Sequence, residues 1–222
     1  VNGTWTGNLT ISNYATTDGG LTTGVITVST AGTFTVTGNF TQSAAGSTVT
    51  LGANMTVTGI FSLTGGTFNA ATYTLTLSGS GQGAAMPFQV SGGTFNEGTG
   101  AVKFTGAAAT DIENETYYVL FFNGLGTYTA TGDMTVSNIL SIGTGTFDAS
   151  SYTVHLTGSG GDLFRVQGIF TSSTSTISYE GTAATDVAST TYYNLQFSPA
   201  SGTPTYRLPS GVFSVSNNFT IT

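Results

Sequence analysis

The side chain with the widest chemical range in this 222-residue chain is its single histidine, His155. A catalytic histidine needs a nucleophile and a carboxylate that converge on it, and a zinc site needs several histidine or cysteine ligands. The chain has no cysteine, and the alternation of segment 151–158 directs His155 outward among threonines. We therefore expect an exposed histidine that could contact the next coil, and we predict no catalytic residue.

Three acidic side chains alternate in one short segment, at Asp111, Glu113 and Glu115. In an extended chain they would share a face, and carboxylate oxygens are ligands that calcium prefers. A second copy of this segment keeps the aspartate, as Asp186, but has no acidic residue at the other two positions. We therefore interpret the segment as a solvated loop and predict neither a bound metal nor a cofactor.

Sugar chemistry is the other possibility that these residues raise. Paired carboxylates could serve a glycosidase, and the tyrosine pairs Tyr117, Tyr118 and Tyr192, Tyr193 could stack on sugars. The charged residues are too sparse to form an obvious cluster, and two copies of one tyrosine pair fit a repeated core or surface ladder. We expect a protein that is not an enzyme, and we retain host or cell-surface glycans as possible partners.

Charge excludes other classes of partner. Only 6% of the residues are charged, where a soluble domain has roughly 25%. The net charge of −7 sets ten carboxylates against three cations, Lys103, Arg165 and Arg207. Three dispersed cations cannot form the basic patch that binds nucleic acid or an anionic membrane surface. No apolar run approaches the ~20 residues of a membrane span, so we predict no membrane insertion.

The elements that must position these residues are short strands. Threonine makes up about a fifth of the chain, and 32 glycines accompany 4 prolines. This composition favours strands separated by turns. Within one segment Tyr73, Leu75 and Leu77 alternate with threonines, which predicts one buried face and one threonine-lined exterior. Similar apolar triplets recur every ~11 to 21 residues along the chain.

A longer repeat encloses the short one. Segment 54–63 recurs as 133–142, so that Met55 corresponds to Met134, and 72–79 recurs as 151–158 at the same offset. Segment 116–122 recurs as 191–197, at a slightly smaller offset, and a third copy starts at Gly211. We predict an all-β fold, a β-solenoid resembling a parallel β-helix, with about four coils in each repeat of about 79 residues. Tandem β-sandwiches are the alternative.

The repeats also divide the chain into segments. We predict an N-terminal strand-rich segment over 1–46, a first repeat over 47–126, a second over 127–202 and a truncated third over 203–222. Because consecutive coils would share one apolar core, we expect these segments to form one continuous elongated domain.

Segments 66–79, 92–106 and 116–120 resemble the repeats of large bacterial surface proteins, the adhesin-like, haemagglutinin-type and autotransporter-type β-helices. The resemblance covers residues 33–222. It implies secretion and a fibrous or adhesive role, and it supplies no catalytic residues to transfer. The chain begins at Val1 and not at methionine, which we interpret as a mature product after removal of a signal peptide or as a trimmed chain. We expect an extracellular or cell-surface location.

The chain ends suggest how such a protein would work. No amphipathic capping helix is visible at either end, and uncapped coils expose strand edges and apolar core. We predict a structural subunit of an extracellular filament or surface fibre, which assembles head-to-tail with copies of itself. The assembly edges would contain seven apolar residues: Trp5, Leu9, Ile11, Phe213, Val215, Phe219 and Ile221. The alternatives are a stalk segment of a surface adhesin and an ice- or glycan-binding solenoid. Threonine runs such as 72–76 suggest ice as a ligand.

Overall fold

A computed structural model describes residues 4–7, 9–11, 25–28, 32–211 and 213–222. Within these residues the protein is built of β-strands, with a three-residue 3-10 turn at Gly83–Ala85. The chain divides into two compact units, which we call unit 1 (Val1–Gly106) and unit 2 (Ala107–Thr222). We describe each of them separately.

Unit 1 contains thirteen described strands of two to four residues each. They are β1 (Thr4–Trp5), β2 (Leu9–Ile11), β3 (Val25–Val28), β4 (Phe34–Val36), β5 (Phe40–Gln42), β6 (Thr48–Leu51), β7 (Met55–Val57), β8 (Phe61–Leu63), β9 (Thr67–Asn69), β10 (Thr74–Leu77), β11 (Phe88–Val90), β12 (Thr94–Asn96) and β13 (Ala101–Phe104).

Unit 2 contains the other thirteen described strands, among them several longer ones. They are β14 (Thr110–Ile112), β15 (Thr116–Phe122), β16 (Thr127–Ala130), β17 (Met134–Ile142), β18 (Thr146–Asp148), β19 (Thr153–Leu156), β20 (Phe164–Val166), β21 (Ile169–Thr171), β22 (Thr176–Tyr179), β23 (Thr185–Asp186), β24 (Thr191–Phe197), β25 (Tyr206–Arg207) and β26 (Ser214–Ile221).

The strands of unit 1 stack into three parallel faces. Their orders are β1-β4-β7-β10-β13, β2-β5-β8-β11 and β3-β6-β9-β12. Every third strand therefore returns to the same face, so that one circuit of the chain, which we call a coil, adds one strand to each stack. Phe34 lies beside Met55, and Met55 lies beside Leu75, so that each step between these residues is one coil.

Unit 2 uses the same construction with longer strands. Its main stack is β15-β17-β19-β22-β24-β26, with β20 on the second half of β17; β14-β16-β18-β21 and β23-β25 form the others. Over the described residues the two units together make about nine coils of roughly 21 residues. The predicted all-β solenoid is confirmed, and parallel pairing excludes the tandem sandwiches, whose strands would be antiparallel. The longer period, which relates Met55 to Met134, stays a prediction.

The core follows from the alternation of the strands. Leu75 and Leu77 of β10 are fully buried, as predicted, whereas Tyr73, expected on the same face, is half-buried; Thr74 and Thr76, which alternate with the leucines, are half-buried on the outer face. In unit 1 the rings of Phe40, Phe61 and Phe88 come from consecutive coils and stand 4.9 and 5.3 Å apart between centroids. Apolar side chains thus form continuous rows along the stack, since a single coil cannot bury its own apolar face.

Polar residues at the corners hold one coil to the next. The Asn54 side chain accepts a hydrogen bond from the Thr74 N–H (2.9 Å), and the Asp133 carboxylate accepts one from the Thr153 N–H (2.8 Å). Gly145, with φ of 70°, makes a turn where an added Cβ would collide with a backbone carbonyl of the preceding coil. Close approach of successive corners therefore requires glycine at this position.

Candidate functional site

The last strand of unit 2 leaves apolar side chains exposed. The register places Phe219 beside Leu195 and Ile221 beside Phe197, which puts both on the core-facing side of β26. Leu195 and Phe197 are almost completely buried, yet Phe219 is 50% exposed and Ile221 is 70% exposed. Phe219 packs the edge of its ring on Phe197, at 5.2 Å between centroids, and its other side faces outward.

Strand β17 shows what such positions look like when they are covered. The predicted long repeat aligns Val136, Leu140 and Ile142 of β17 with Val215, Phe219 and Ile221, and all three residues of β17 are fully buried. The difference is that β17 has partners on both sides. β15 pairs with one side, and β19 and β20 pair with the two halves of the other. Among the described residues, β26 pairs with β24 alone. The exposure of β26 therefore follows from the lack of a second strand partner within the described residues.

An apolar cleft of about 470 Å³ lies beside the exposed residues. Phe219 and Ile221 form one wall, and Tyr206, Leu208 and Pro199 contribute to the rest. Leu208 is itself 54% exposed. Together with the strand edge, the cleft gives unit 2 a continuous apolar surface of the kind that marks an interaction site.

The edge of β26 lacks two of the usual protections against pairing, proline and charge, although its register on β24 contains a β-bulge between Val215 and Asn218. Natural edge strands are short or contain proline or charged residues, which discourage a further strand. β26 is eight residues long, without proline, and residues 208–222 contain no charged side chain. An asparagine side chain of β26 also bonds to the preceding coil, since the Asn217 amide donates a hydrogen bond to the Asn194 side-chain oxygen (2.9 Å). The edge is thus formed as an interior strand would be.

The other predicted edge lies in unit 1. β1 pairs with β4 and β2 pairs with β5, and neither has a partner on its other side among the described residues. Leu9 is half-buried and Thr10 is exposed, whereas the side chains of Trp5 and Ile11 lie outside the described part of the chain. Of the predicted edge residues, Val215 is half-buried and lies on β26 with Phe219 and Ile221, and Phe213, one residue before this strand, is half-buried as well.

His155 has a partner that the sequence did not identify. Its Nδ1 lies 2.5 Å from Oε1 of Glu180 on the next coil, and both side chains are partly exposed. Ser178 stands beside His155 in register, but its Oγ is buried without a hydrogen-bond partner. Ser178 therefore makes no hydrogen bond to His155, the contact that the nucleophile of a catalytic triad makes.

The acidic segment and the tyrosine pairs have structural roles in unit 2. The Glu113 carbonyl accepts a hydrogen bond from the Tyr117 hydroxyl (2.7 Å), and Tyr117 is fully buried. Tyr192 is buried as well, whereas Tyr118 and Tyr193 are half-buried. Within the described residues no three histidine, aspartate or glutamate side chains lie close enough together to hold a metal ion.

Two ion pairs at one place in unit 2 were not anticipated. Arg207 bonds to the Asp186 carboxylate on the preceding coil, and this contact lowers the pKa of Asp186 and raises that of Arg207. Arg165 lies 3.9 Å from Asp162. An open cleft of about 440 Å³ contains both aspartates. Asp186 and Arg207 are separated by one coil in the sequence, and this spacing was the signal that could have revealed the first pair.

None of the helical segments in the described ranges has the length and apolar character needed to span a membrane. The chain matches no protein-family model, no curated protein and no solved structure.

Proposed function

We propose that the protein is a structural subunit of an extracellular filament or surface fibre, in which copies join end to end through their terminal strands. The observation that carries this proposal is the exposure of Phe219 and Ile221, whose counterparts in β17 are buried by the next coil. A contact between two different edges of one chain is heterologous, and a heterologous contact that does not close produces a filament.

Burial supplies the driving force for this assembly. Covering an exposed apolar side chain contributes roughly 1.5–3 kcal/mol. Phe219, Ile221 and Leu208 are 50%, 70% and 54% exposed, so covering each of them would contribute roughly half to two thirds of this amount. Low charge adds to this, because residues 208–222 bring no like charges together when a second chain approaches. The resemblance to bacterial surface proteins supports the extracellular location within the same proposal.

The test compares two lysine substitutions in unit 2. We expect Phe219→Lys to abolish filaments in electron micrographs and sedimentation, because a charge at an edge strand opposes the addition of another strand. Leu125→Lys is the matched control, since Leu125 is 80% exposed in a turn away from the edge. It should assemble as the unaltered chain does, and circular dichroism should show that both variants are folded.

Two results would overturn the filament proposal. One is an unaltered chain that remains monomeric at high concentration, with no filaments in micrographs. The other is Phe219→Lys assembling as well as Leu125→Lys, which would place the contact on another surface.

The same edge supports a second function, the stalk of a surface adhesin. A further coil of the same polypeptide would cover Phe219 and Ile221 just as β19 and β20 cover β17. Mass measurement of the native polypeptide separates the two functions. A mass close to 22.5 kDa supports the filament subunit, and a much larger mass supports the stalk.

A further inference from the structure

We propose that β1 and β2 of a second copy cover β26 in a defined register, with Trp5 beside Val215, Leu9 beside Phe219 and Ile11 beside Ile221. This register rests on the end-to-end assembly proposed above and specifies its interface. The occupant of the exposed edge is therefore a second copy of this chain, and the contact is a parallel strand pairing.

Strands that stack on each other in unit 1 have the same spacing of apolar residues. Val57, Phe61 and Leu63 belong to β7 and β8, with separations of four and two residues. Val36 and Phe40 of the preceding coil have the same separation and lie directly beside Val57 and Phe61. Coils with this spacing thus stack residue on residue without an offset.

The edge strands of the two units share this spacing. Trp5 and Leu9 are four residues apart and lie beside Val36 and Phe40, with Ile11 two residues further. On β26 the residues with the same separations are Val215, Phe219 and Ile221. The first coil of a second copy can therefore pair with β26 residue by residue, in the same way as it pairs with β4 and β5 of its own second coil.

The edge at β26 and the edge at β1 and β2 face opposite ways along the strand order. Within each unit, every later strand of a stack lies on the same side of the earlier one. Among the described residues, no later strand pairs with β26 and no earlier strand pairs with β1 or β2, so that β26 presents the side of a later strand and β1 and β2 present the side of an earlier one. Joining them continues a parallel stack, whereas joining two copies of one edge would not.

The backbone hydrogen-bonding groups of the two edges also match, because successive residues of a strand direct their N–H and C=O groups to alternate sides. The Thr222 N–H bonds to the Phe197 carbonyl on the β24 side, so alternation turns the backbone groups of Phe219 to the free edge. On β2 the Leu9 N–H bonds toward β5, so the backbone groups of Thr10 face its free edge. In the proposed register the Thr10 N–H meets the Phe219 carbonyl, as the ladder requires.

Charge does not oppose this contact. Residues 1–17 and 208–222 contain no aspartate, glutamate, lysine, arginine or histidine. Both edges are also polar on their outer side, where Thr10 and Thr220 would stand next to each other in the proposed register. Identical chains can therefore approach without electrostatic repulsion at the contact.

Engineered cysteines test the register, since the chain has none of its own. Thr10→Cys and Thr220→Cys change two exposed, outward residues. Paired strands are about 4.8 Å apart, within the range that a disulfide spans. With oxidised glutathione as the oxidant, the double variant should form a ladder of linked chains on a non-reducing gel. Each single variant should give dimers at most.

The matched control moves one cysteine by two residues on the same face. Thr10→Cys with Asn218→Cys would hold the two Cα atoms about 8 Å apart, beyond the limit of about 7 Å. We expect at least about tenfold less ladder from this pair under equal conditions. Micrographs of each reduced sample show independently whether filaments have formed.

The outcomes separate the register from the filament itself. Filaments with a stronger ladder from the Asn218 pair, or with no ladder from either pair, would overturn the register and leave the proposed function standing. Absence of both filaments and ladders would overturn both proposals. A ladder that is strong with Thr220 and weak with Asn218 supports both.

Discussion

The two units fill the same kind of parallel stack with different aromatic side chains. In the described part of unit 1 the largest buried residues are phenylalanines, whereas unit 2 adds Tyr117, Tyr128, Tyr179 and Tyr192, all fully buried. Phenylalanine needs packing alone, but each buried tyrosine also needs a hydrogen-bond partner for its hydroxyl. A solenoid core can therefore be joined to its corner loops by hydrogen bonds from buried hydroxyls, or be held by the packing of apolar side chains alone.

Unit 1 shows the independent arrangement. Phe61 stands 4.9 Å from Phe40, 4.8 Å from Phe68 and 5.3 Å from Phe88, measured between ring centroids. Gln42 is a polar exception in this core, and its amide nitrogen donates to the Ser47 hydroxyl (2.9 Å). Packing between coils therefore dominates the stability of unit 1.

Unit 2 shows the tied arrangement. The hydroxyls of Tyr179 and Tyr192 lie 3.2 Å apart. The Tyr179 hydroxyl accepts a hydrogen bond from the Ala188 N–H (3.1 Å), and the Tyr192 hydroxyl donates to the Ala188 carbonyl (2.9 Å). One corner residue thus satisfies two core side chains, and the stability of this core depends on the loop that carries Ala188.

The largest expected effect is in unit 1. Phe61→Ala should lower its free energy of unfolding by about 3–5 kcal/mol, because the substitution opens a cavity beside three other rings. Hydrogen exchange of unit 1 peptides, followed by mass spectrometry, measures the loss. Phe219→Ala is the control, since a half-exposed ring should cost less than about 2 kcal/mol in the monomer. Equal losses would contradict the dominance of packing in unit 1.

Alkaline pH should separate the units next. Burial raises the pKa of Tyr179 to about 12, and burial likewise raises the pKa values of Tyr117 and Tyr192. The unfolded chain ionises these groups at about pH 10, so the stability they confer is complete below that pH. It is lost as the pH rises from about 10 toward 12, at about 1.4 kcal/mol per pH unit for each tyrosine.

Methyl NMR signals report on each unit in this titration. Signals of Leu156 in unit 2 should leave their folded positions at a lower pH than those of Leu75 in unit 1. The described core of unit 1 has no fully buried tyrosine that could produce the same transition. Loss of the Leu75 signals first would refute the assignment of the transition to the tyrosines.

A single hydroxyl gives the third effect. Tyr192→Phe removes the donor to the Ala188 carbonyl and the neighbour of the Tyr179 hydroxyl. We expect a loss of about 1–3 kcal/mol in unit 2, because buried polar groups remain without partners. Tyr193→Phe is the matched control at the next position, where the side chain is half-buried, and it should change little. Denaturant unfolding measures both variants, and similar losses would argue against the hydroxyl network.

The sequence predicted the parts of the fold that depend on local alternation. The pattern of β10 correctly places Leu75 and Leu77 in the core, because the side chains of a strand alternate with period two. The strand pattern of segment 133–142 likewise coincides with β17. Phe219 and Ile221 are exposed, and their part in an assembly edge stays a prediction. Alternation is a property of neighbouring residues, so it can be predicted without knowing which coils touch.

Contacts between coils were harder to predict, since coil length varies. Leu75 lies beside Val102, at the end of a long coil, whereas Ile177 lies beside Leu195, at the end of a much shorter one. An extra loop or a shortened corner changes which residues meet, and a single sequence does not reveal the register. The Glu180 partner of His155 depends on this register, and so do the hydrogen bonds of the buried tyrosines.

The smallest expected effect concerns His155, on the outside of unit 2. Its pair with Glu180 is partly exposed, with 36% and 24% of the two side chains accessible, so solvent weakens the attraction. Glu180→Gln and His155→Gln should each cost less than about 1 kcal/mol, and about 1 M salt should reduce the coupling measured from the double variant. A coupling above about 2 kcal/mol would mean that this outer pair rivals the inner tyrosines, and the contrast between the units would then extend to their surfaces.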